Sequence, residues 1–523
     1  MDTPAHPARS AVIGVDIGTT STKALAYALD GRVVARHAVE TPLSRPEPGA
    51  AEHEPQAIVD AVRACLRAVA GACAGAGCAV LGVSFSAAMH SVIALDAADR
   101  PLTRSLTWAD NRAAAAPARI AASEGGTALA RRTGTPIHPM SPLAKLAWLR
   151  EAAPAVHGAA ARFAGIKEFV LHALCGQWLV DHSIASATGL VDVARLDWDD
   201  EALALAGVRR EQLSRLVPTR HFVRGLPEGV AADLGLPTGT PLVVGANDGV
   251  LSNLGLDAIR PGEMALTIGT SGALRTVVDR PLTDAHGRTF CYVLAEGRWV
   301  VGGPVNNGGA VLQWARETFA RAPADAAAAR GEDAYEALAA IAAAVPAGAG
   351  GLLFHPYLDG ERAPHWNAAM RGSFFGLAPQ HGVPEMVRAV HEGVLFGLRA
   401  VLPLVETLAG RTARLKAAGG FARSVPWRQM AADVFDRELF VPLDIESSCR
   451  GAAMLGLWAL GHLPTLEAAG GLLGDAHVHR PDAAHAATYA RLGAIFDALP
   501  VRLGREYEAI AAFQRASGVR SST

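Results

Sequence analysis

Asp16 closes a short apolar run, Val12-Ile13-Gly14-Val15-Asp16-Ile17, and Gly18-Thr19-Thr20-Ser21-Thr22-Lys23 follows at once. A tight turn of small residues, hydroxyls and backbone N–H groups has the chemistry of a polyphosphate cradle, and a carboxylate at the strand end can orient a hydrated Mg²⁺. An ordinary sheet hairpin carries similar text. The pattern then returns: Thr267-Ile268-Gly269-Thr270-Ser271-Gly272 repeats strand, Gly-Thr-hydroxyl turn and strand, with Thr270 following Thr19 by 251 positions in a chain of 523. The chain therefore reads as two related halves. Two facing hairpins, one from each, would clamp a phosphate in a cleft that neither half encloses alone.

Such a turn must be entered and left by strands. Ala24-Leu25-Ala26-Tyr27 supplies the second strand, Asp30-Gly31 is a turn dipeptide, and 32–39 alternates as a third, antiparallel strand. A Walker-type P-loop or a dinucleotide fingerprint would run from its glycine turn into a helix, so both are disfavoured. The spacing of Ile58, Val59, Val62, Leu66 and Val69 predicts a helix over 56–74 after the proline-rich loop 42–55. A buried strand at 80–85 delivers Ser86-Ala87-Ala88-Met89-His90-Ser91 to its C-terminal end, where ligands sit in open α/β sheets. Another, from Pro241, ends in Asn247-Asp248-Gly249.

Between these strands, the loop around His138 enters an amphipathic helix, Gly165-Ile166-Lys167-Glu168 opens another, and 181–190 is a polar loop. In the second half, a strand from Val301 runs through Asn306-Asn307 into Gly308-Gly309 and a helix containing Gln313. The Ala-rich 323–351 predicts a peripheral helix, and 384–407 one long amphipathic helix. Leu415 to Ala418 is a strand, Gly419-Gly420 a turn against which a base could lie flat, and Ser424 an N-cap before Pro426. Cys449-Arg450-Gly451-Ala452-Ala453 opens the last long helix, before a polar tail.

Half the residues are hydrophobic and the formal net charge is −2. No basic field exists to hold nucleic acid or anionic lipid, so an anionic substrate needs a local pocket. Six scattered cysteines without a C-x-x-C pair suggest neither a zinc site nor a disulfide framework, and point to reduced thiols in a cytoplasmic setting. The first ten residues read as a polar lead, not a secretory segment, and no apolar stretch approaches the roughly 20 residues that span a bilayer.

Taken in order, Asp16 to Ser21, Met89-His90, Trp108 to Arg112, Gly245 to Gly249, Thr267 to Gly272, Gly419 to Ser424 and Gly451-Ala452-Ala453 resemble the FGGY carbohydrate kinases. The resemblance implies a two-domain α/β fold of the actin, heat-shock-chaperone and sugar-kinase type (ribonuclease H-like) with an interdomain catalytic cleft. Its expected domains are 10–254 for sugar and phosphate, 255–505 for nucleotide, and a tail at 506–523. Ser84 to Ser91, His138 to Pro142, Gly165 to Glu168, Ser183 to Leu190 and Asn306 to Gly309 look most like the gluconokinase branch. Xylulokinases usually have Gly-Gln-Met-His-Gly where this chain has Ala87-Ala88-Met89-His90-Ser91.

Residue by residue, the resemblance implies that Asp248 is the base that takes the proton of the substrate hydroxyl as it attacks the γ-phosphate of ATP. Asp16 is matched to Mg²⁺; Thr19, Thr20, Ser21, Lys23, Gly269, Thr270, Gly309, Gln313, Gly420 and Ser424 are matched to ATP. Met89, His90, Asp110, Arg112, His138, Lys167, Asn247, Asn306 and Asn307 are matched to the substrate, whose carboxylate needs extra donors or a cation. The implied reaction phosphorylates the 6-hydroxyl of D-gluconate, giving 6-phosphogluconate and ADP, and the family suggests a homodimer. The alternatives are another FGGY kinase, acting on xylulose or a polyol, and a non-catalytic ATP binder of the same superfamily.

Overall fold

The computed structural model describes residues 10–123 and 125–517. The N-terminal lead up to residue 9 and the end of the tail, 518–523, lie outside them. The chain forms two compact units. The first runs to Arg260 and also takes in Val277–Val301 and Glu446–Gly474; the second comprises Pro261–Thr276, Gly302–Ile445 and the chain from Asp475.

In the first unit, strand Ser10–Ile17 pairs antiparallel with Ser21–Ala28, which pairs antiparallel with Val33–Glu40. On its other side Ser10–Ile17 runs parallel to Ala79–Ala87, which runs parallel to Leu242–Asn247. The short antiparallel strand Phe222–Val223 ends the six-stranded sheet. The period-two alternation of the opening strand sorts its two faces. Ile13, Val15 and Ile17 join helix Pro55–Gly75 through Ile58, Val59, Val62, Leu66 and Val69. Val12, Leu25 and Tyr27 face Cys449, Ala453 and Leu457 of helix Ser447–Ala459. This helix from the sequence's second half thus completes the first unit's core.

The second unit repeats the scheme. Strand Glu263–Ile268 pairs antiparallel with Gly272–Val278 and parallel with Arg414–Ala418, which runs parallel to Glu438–Pro442; antiparallel Ala476–His479 closes that side. Helices Val383–Arg399 and Val425–Phe435 pack into its core.

Several local expectations are corrected. The single helix over 384–407 is two, Val383–Arg399 and Leu402–Ala409, because Pro403 has no N–H for the preceding turn and its ring crowds the carbonyl four residues back. The Ala-rich segment holds two helices, Arg321–Ala329 and Ala334–Ala344. The polar loop 181–190 contains helix His182–Ser186, capped by the Asp181 carboxylate, which accepts from Ile184 N at 2.9 Å. Helix Ser447–Ala459 is not the last long one: Ala483–Arg502 and Gly504–Ala516 follow, the latter running from 504 into the stretch 506–523 expected as a tail.

Candidate functional site

Three neighbouring parallel strands of the first unit end together. Register places Asp16 beside Ser86, Ile17 beside Ala87, Ala246 beside Ser86 and Asn247 beside Ala87. Asp16, the Met89-His90 turn and Asp248 are therefore carried on adjacent strand ends. The Ser86 hydroxyl donates to Asp16 Oδ1 at 2.6 Å. Burial raises the Asp16 pKa above the usual carboxylate value, against the opposing pull of that bond and of Lys23.

The turn after Asp16 is tied from outside. Gly18 N donates to Ser21 O at 3.1 Å, Thr41 N donates to Thr20 O at 2.9 Å, and the His53 ring bonds Thr19 O at 2.8 Å. The Trp108 indole N–H donates to Thr19 Oγ1 at 2.8 Å, leaving the Thr19 proton to be directed elsewhere. Lys23 is held by Glu446, with Nζ 2.9 Å from Oε2 and 3.0 Å from Oε1. Burial works against its charge, but the Glu446 carboxylate outweighs this and raises the Lys23 pKa.

Asp248 opens helix Asp248–Gly255, and its carboxylate accepts from Gly249 N at 2.7 Å. The strand before it kinks at Gly245, whose φ of +72° puts a hypothetical Cβ 1.7 Å from Phe85 O, so only glycine lets the two strands touch there. Asn247 caps the helix, accepting from Val250 N at 2.9 Å, while its Nδ2 donates to Ser183 Oγ at 2.9 Å. Helix Ser447–Ala459 supports the arrangement: Ser448 Oγ donates to Asp248 O at 3.3 Å, and Ser447 and Ser252 hydroxyls meet at 2.9 Å.

On the sugar-side segments, His90 has a left-handed φ of +71° and its Nδ1 bonds Ala187 O at 2.7 Å. A carbonyl only accepts, so Nδ1 carries a proton, and in the neutral ring Nε2 is the acceptor nitrogen. His138 has the opposite tautomer, since its Nδ1 accepts from Met140 N at 3.2 Å. Met89 is partly buried against the core. Lys167 is 2% exposed; its Nζ lies 2.6 Å from Asp181 Oδ2 and donates to Ala246 O at 3.1 Å, two residues before Asp248. Burial lowers its pKa, against the pull of Asp181. Arg112 is gripped by Asp110, Glu52 and Glu47 and stacks over Trp148 at 5.1 Å. Its charge is already matched.

In the second unit, Gly269 N donates to Ser271 O at 2.9 Å, closing the repeated turn. Helix Gly309–Thr318 starts directly on it: Gly309 N donates to Gly269 O at 2.7 Å and Gly308 N to Thr270 O at 3.1 Å. Thr267 is in register with Ala418, which brings the Gly419-Gly420 turn alongside. Ser424 occupies the position before its helix but makes no capping bond; Pro426 removes one of the two usual N–H donors. Its buried hydroxyl has no partner among the described residues. Gln313 is exposed and donates to Glu317 at 3.0 Å. Asn306 Nδ2 donates to Asp359 O at 3.0 Å, and Asn307 Nδ2 to Gly360 O at 2.7 Å and Glu361 Oε2 at 3.0 Å. Burial pushes the Glu361 carboxyl up to about 7.

The site residues named from the sequence thus fall into two groups. Asp16 to Lys23, Met89 to Arg112, His138, Lys167, Asn247 and Asp248 lie in the first unit, and the rest in the second. Sequence reading missed His53, Lys145, Asp181, Glu446, Ser447 and Ser448. None sits in a local pattern; Trp108, though inside a quoted motif, carried no role.

Duplicated hairpin turns, a carboxylate at each of two strand ends that flank a third, and glycine turns at the matching strand ends of the second unit define a phosphotransferase of the two-unit α/β class shared by actin, heat-shock chaperones and sugar kinases. Residues 11–255 match the N-terminal domain of the FGGY family of carbohydrate kinases, and 264–460 match its C-terminal domain. The chain belongs to that family and is a carbohydrate kinase. It is 46% identical to the gluconokinase of Bacillus subtilis (strain 168) over 507 residues, 97% of this chain and 98% of the relative. The solved gluconate kinase from Lactobacillus acidophilus superposes with a TM-score of 0.88 at 35% identity, covering 96% of this chain and 99% of that one. A ligand-bound xylulose kinase from Lactobacillus acidophilus gives 0.89 at 35% identity, covering 96% and 100%.

Proposed function

We propose that this kinase transfers the γ-phosphoryl group of ATP to the 6-hydroxyl of D-gluconate, giving 6-phosphogluconate and ADP. The 46% identity to a gluconokinase over nearly the whole chain carries the choice of substrate. In the proposed mechanism the Asp248 carboxylate accepts the hydroxyl proton as that oxygen attacks phosphorus, and the bond to the ADP oxygen breaks. Asn247 and Lys167 act on Asp248 through the backbone: one caps its helix and the other bonds the Ala246 carbonyl. His90 presents an acceptor and His138 a donor to the sugar hydroxyls. Met89 packs beside His90, and Asp110 with Arg112 forms a charge-matched wall. Asn306 and Asn307, fixed by the 359–361 loop, are assigned to the substrate as polar groups of the second unit.

Thr19, Thr20, Ser21 and Lys23 are assigned to the phosphates, with Gly269 and Thr270 on the second turn. Gly309, Gln313, Gly420 and Ser424 are assigned to the nucleotide, and the partnerless Ser424 hydroxyl supports this. Asp16 fits Mg²⁺: it is a hard oxygen donor, steadied by Ser86 beside a hydroxyl-rich turn. Among the described residues no group of three His, Cys, Asp or Glu could hold a metal, so Asp16 would share the ion with water and phosphate oxygens. When bound, Mg²⁺ supplies neutralisation of phosphate charge. A cytoplasmic setting fits the use of ATP and six free thiols.

The xylulose kinase likeness at equal structural identity favours a second reading, a ketose kinase. A coupled ADP-release assay across gluconate, xylulose, ribulose, glycerol and erythritol separates the two. Gluconate should give the highest kcat/KM; xylulose ranking first would replace the proposal.

A further inference from the structure

Lys145 is a buried cation that the mechanism above does not use. It sits in helix Pro142–Ala152, is 1% exposed, and no Asp or Glu pairs with it among the described residues. Its ammonium donates instead to two backbone carbonyls: His90 O at 3.2 Å and Met140 O. A methionine, one atom shorter, would fill most of this space without desolvating a charge. The two carbonyl bonds are therefore what the lysine adds.

Those carbonyls belong to the two turns that carry the sugar-side histidines. His90 sits in the left-handed region at φ +71°, which is strained for a non-glycine residue and persists only where neighbours hold it. Its side chain is anchored to Ala187 O at 2.7 Å. The other turn is knotted on itself, with Ser141 N and Oγ each 3.0 Å from His138 O and Met140 N 3.2 Å from His138 Nδ1. Lys145 links one turn to the other.

We propose that Lys145 is a positioning residue that sets the spacing of the His90 and His138 turns and hence the affinity for the sugar acceptor. This rests on the reading of those two turns as the sugar side. Burial lowers the Lys145 pKa to about 7, but both the charged and the neutral amine keep the two donors the link requires.

The test compares Lys145→Met, Lys145→Gln and His90→Ala in steady-state assays varying gluconate and ATP separately. Lys145→Met should raise KM for gluconate about tenfold, the loss expected for two buried hydrogen bonds, while KM for ATP stays within about twofold. Lys145→Gln, whose amide keeps two N–H donors on a shorter arm, should recover part of that loss. It also carries the same readouts if the methionine variant does not fold. An unchanged gluconate KM in the lysine variants, with a raised one in His90→Ala, overturns the role of Lys145 alone. An unchanged gluconate KM in His90→Ala overturns the sugar-side reading. Equal losses for both substrates would show a merely structural lysine and refute the proposal.

Discussion

Adding one methyl group at Gly451 tests whether helix Asp248–Gly255 holds the proposed base by close packing. A Cβ at Gly451 would lie 1.9 Å from Leu251 O, 2.7 Å from Leu251 C and 3.1 Å from Gly255 N, all backbone atoms that no rotamer change can move. Ordinary van der Waals contact starts at 3.4 Å, so the two helices must separate by roughly 1.5 Å at that point. Asp248 lies on the first turn of the displaced helix and is also bonded through its carbonyl to Ser448. Overpacking of this kind costs about 1–3 kcal/mol, and a displacement near 1 Å at a reacting group costs about a hundredfold in rate. Gly451→Ala should therefore lower both the urea midpoint and, in the surviving folded enzyme, kcat by about two orders of magnitude. Gly71→Ala is the control. Gly71 lies inside helix Pro55–Gly75 with nothing within 4 Å of a built Cβ. There the same change should stabilise by about 0.5–1 kcal/mol and leave kcat unaltered. If Gly451→Ala kept kcat within about twofold of the parent, the claim that this helix contact positions Asp248 would be wrong.

Three further outcomes are expected. Trp108→Phe removes the indole donor to Thr19 Oγ1 and should raise KM for ATP about three- to tenfold, with the gluconate KM unmoved; a change confined to gluconate would contradict the assignment of that turn. Lys23→Ala breaks a pair in which both side chains are about one-third exposed, so its stability cost should stay under about 1 kcal/mol while ATP binding weakens. For Glu361 the folded-state pKa of about 7 lies above the ordinary 4.5. Its contribution is therefore whole below about pH 4.5 and is lost as pH rises through about 7. Glu361→Gln should flatten the fall of the urea midpoint between those values, and an identical slope in both proteins would remove Glu361 as its cause.

What the sequence made legible were features with a short repeat. The strands around Asp16 and Thr267 announce themselves by apolar runs broken at a Gly-Thr turn, and helix Pro55–Gly75 by its 3.6-residue spacing. Asp248 directly follows such a strand, Leu242–Asn247, and its role comes from the family resemblance. The hidden parts depend on contacts with no local signature. Lys23 is plain in the turn text, but its partner Glu446, 423 positions away, has no local signal. Lys167 and Arg112 look like cations available to a carboxylate, yet one is buried against Asp181 and the other shared by three acids. Helix Ser447–Ala459 belongs by sequence to the second half and by packing to the first unit, a crossing that no periodicity records. At Pro403 the amphipathic pattern runs through a helix break, because hydrophobic spacing is blind to a missing N–H.

The central claim is that Asp248 takes the acceptor proton in phosphoryl transfer to gluconate. Asp248→Asn keeps the shape of the side chain and removes its basicity. Calorimetric ATP titration and gluconate-dependent ADP release, measured on one preparation of this variant, should give an ATP affinity near that of the parent and turnover reduced by at least about a thousandfold. Turnover near the parental kcat, with ATP still bound, would contradict the account.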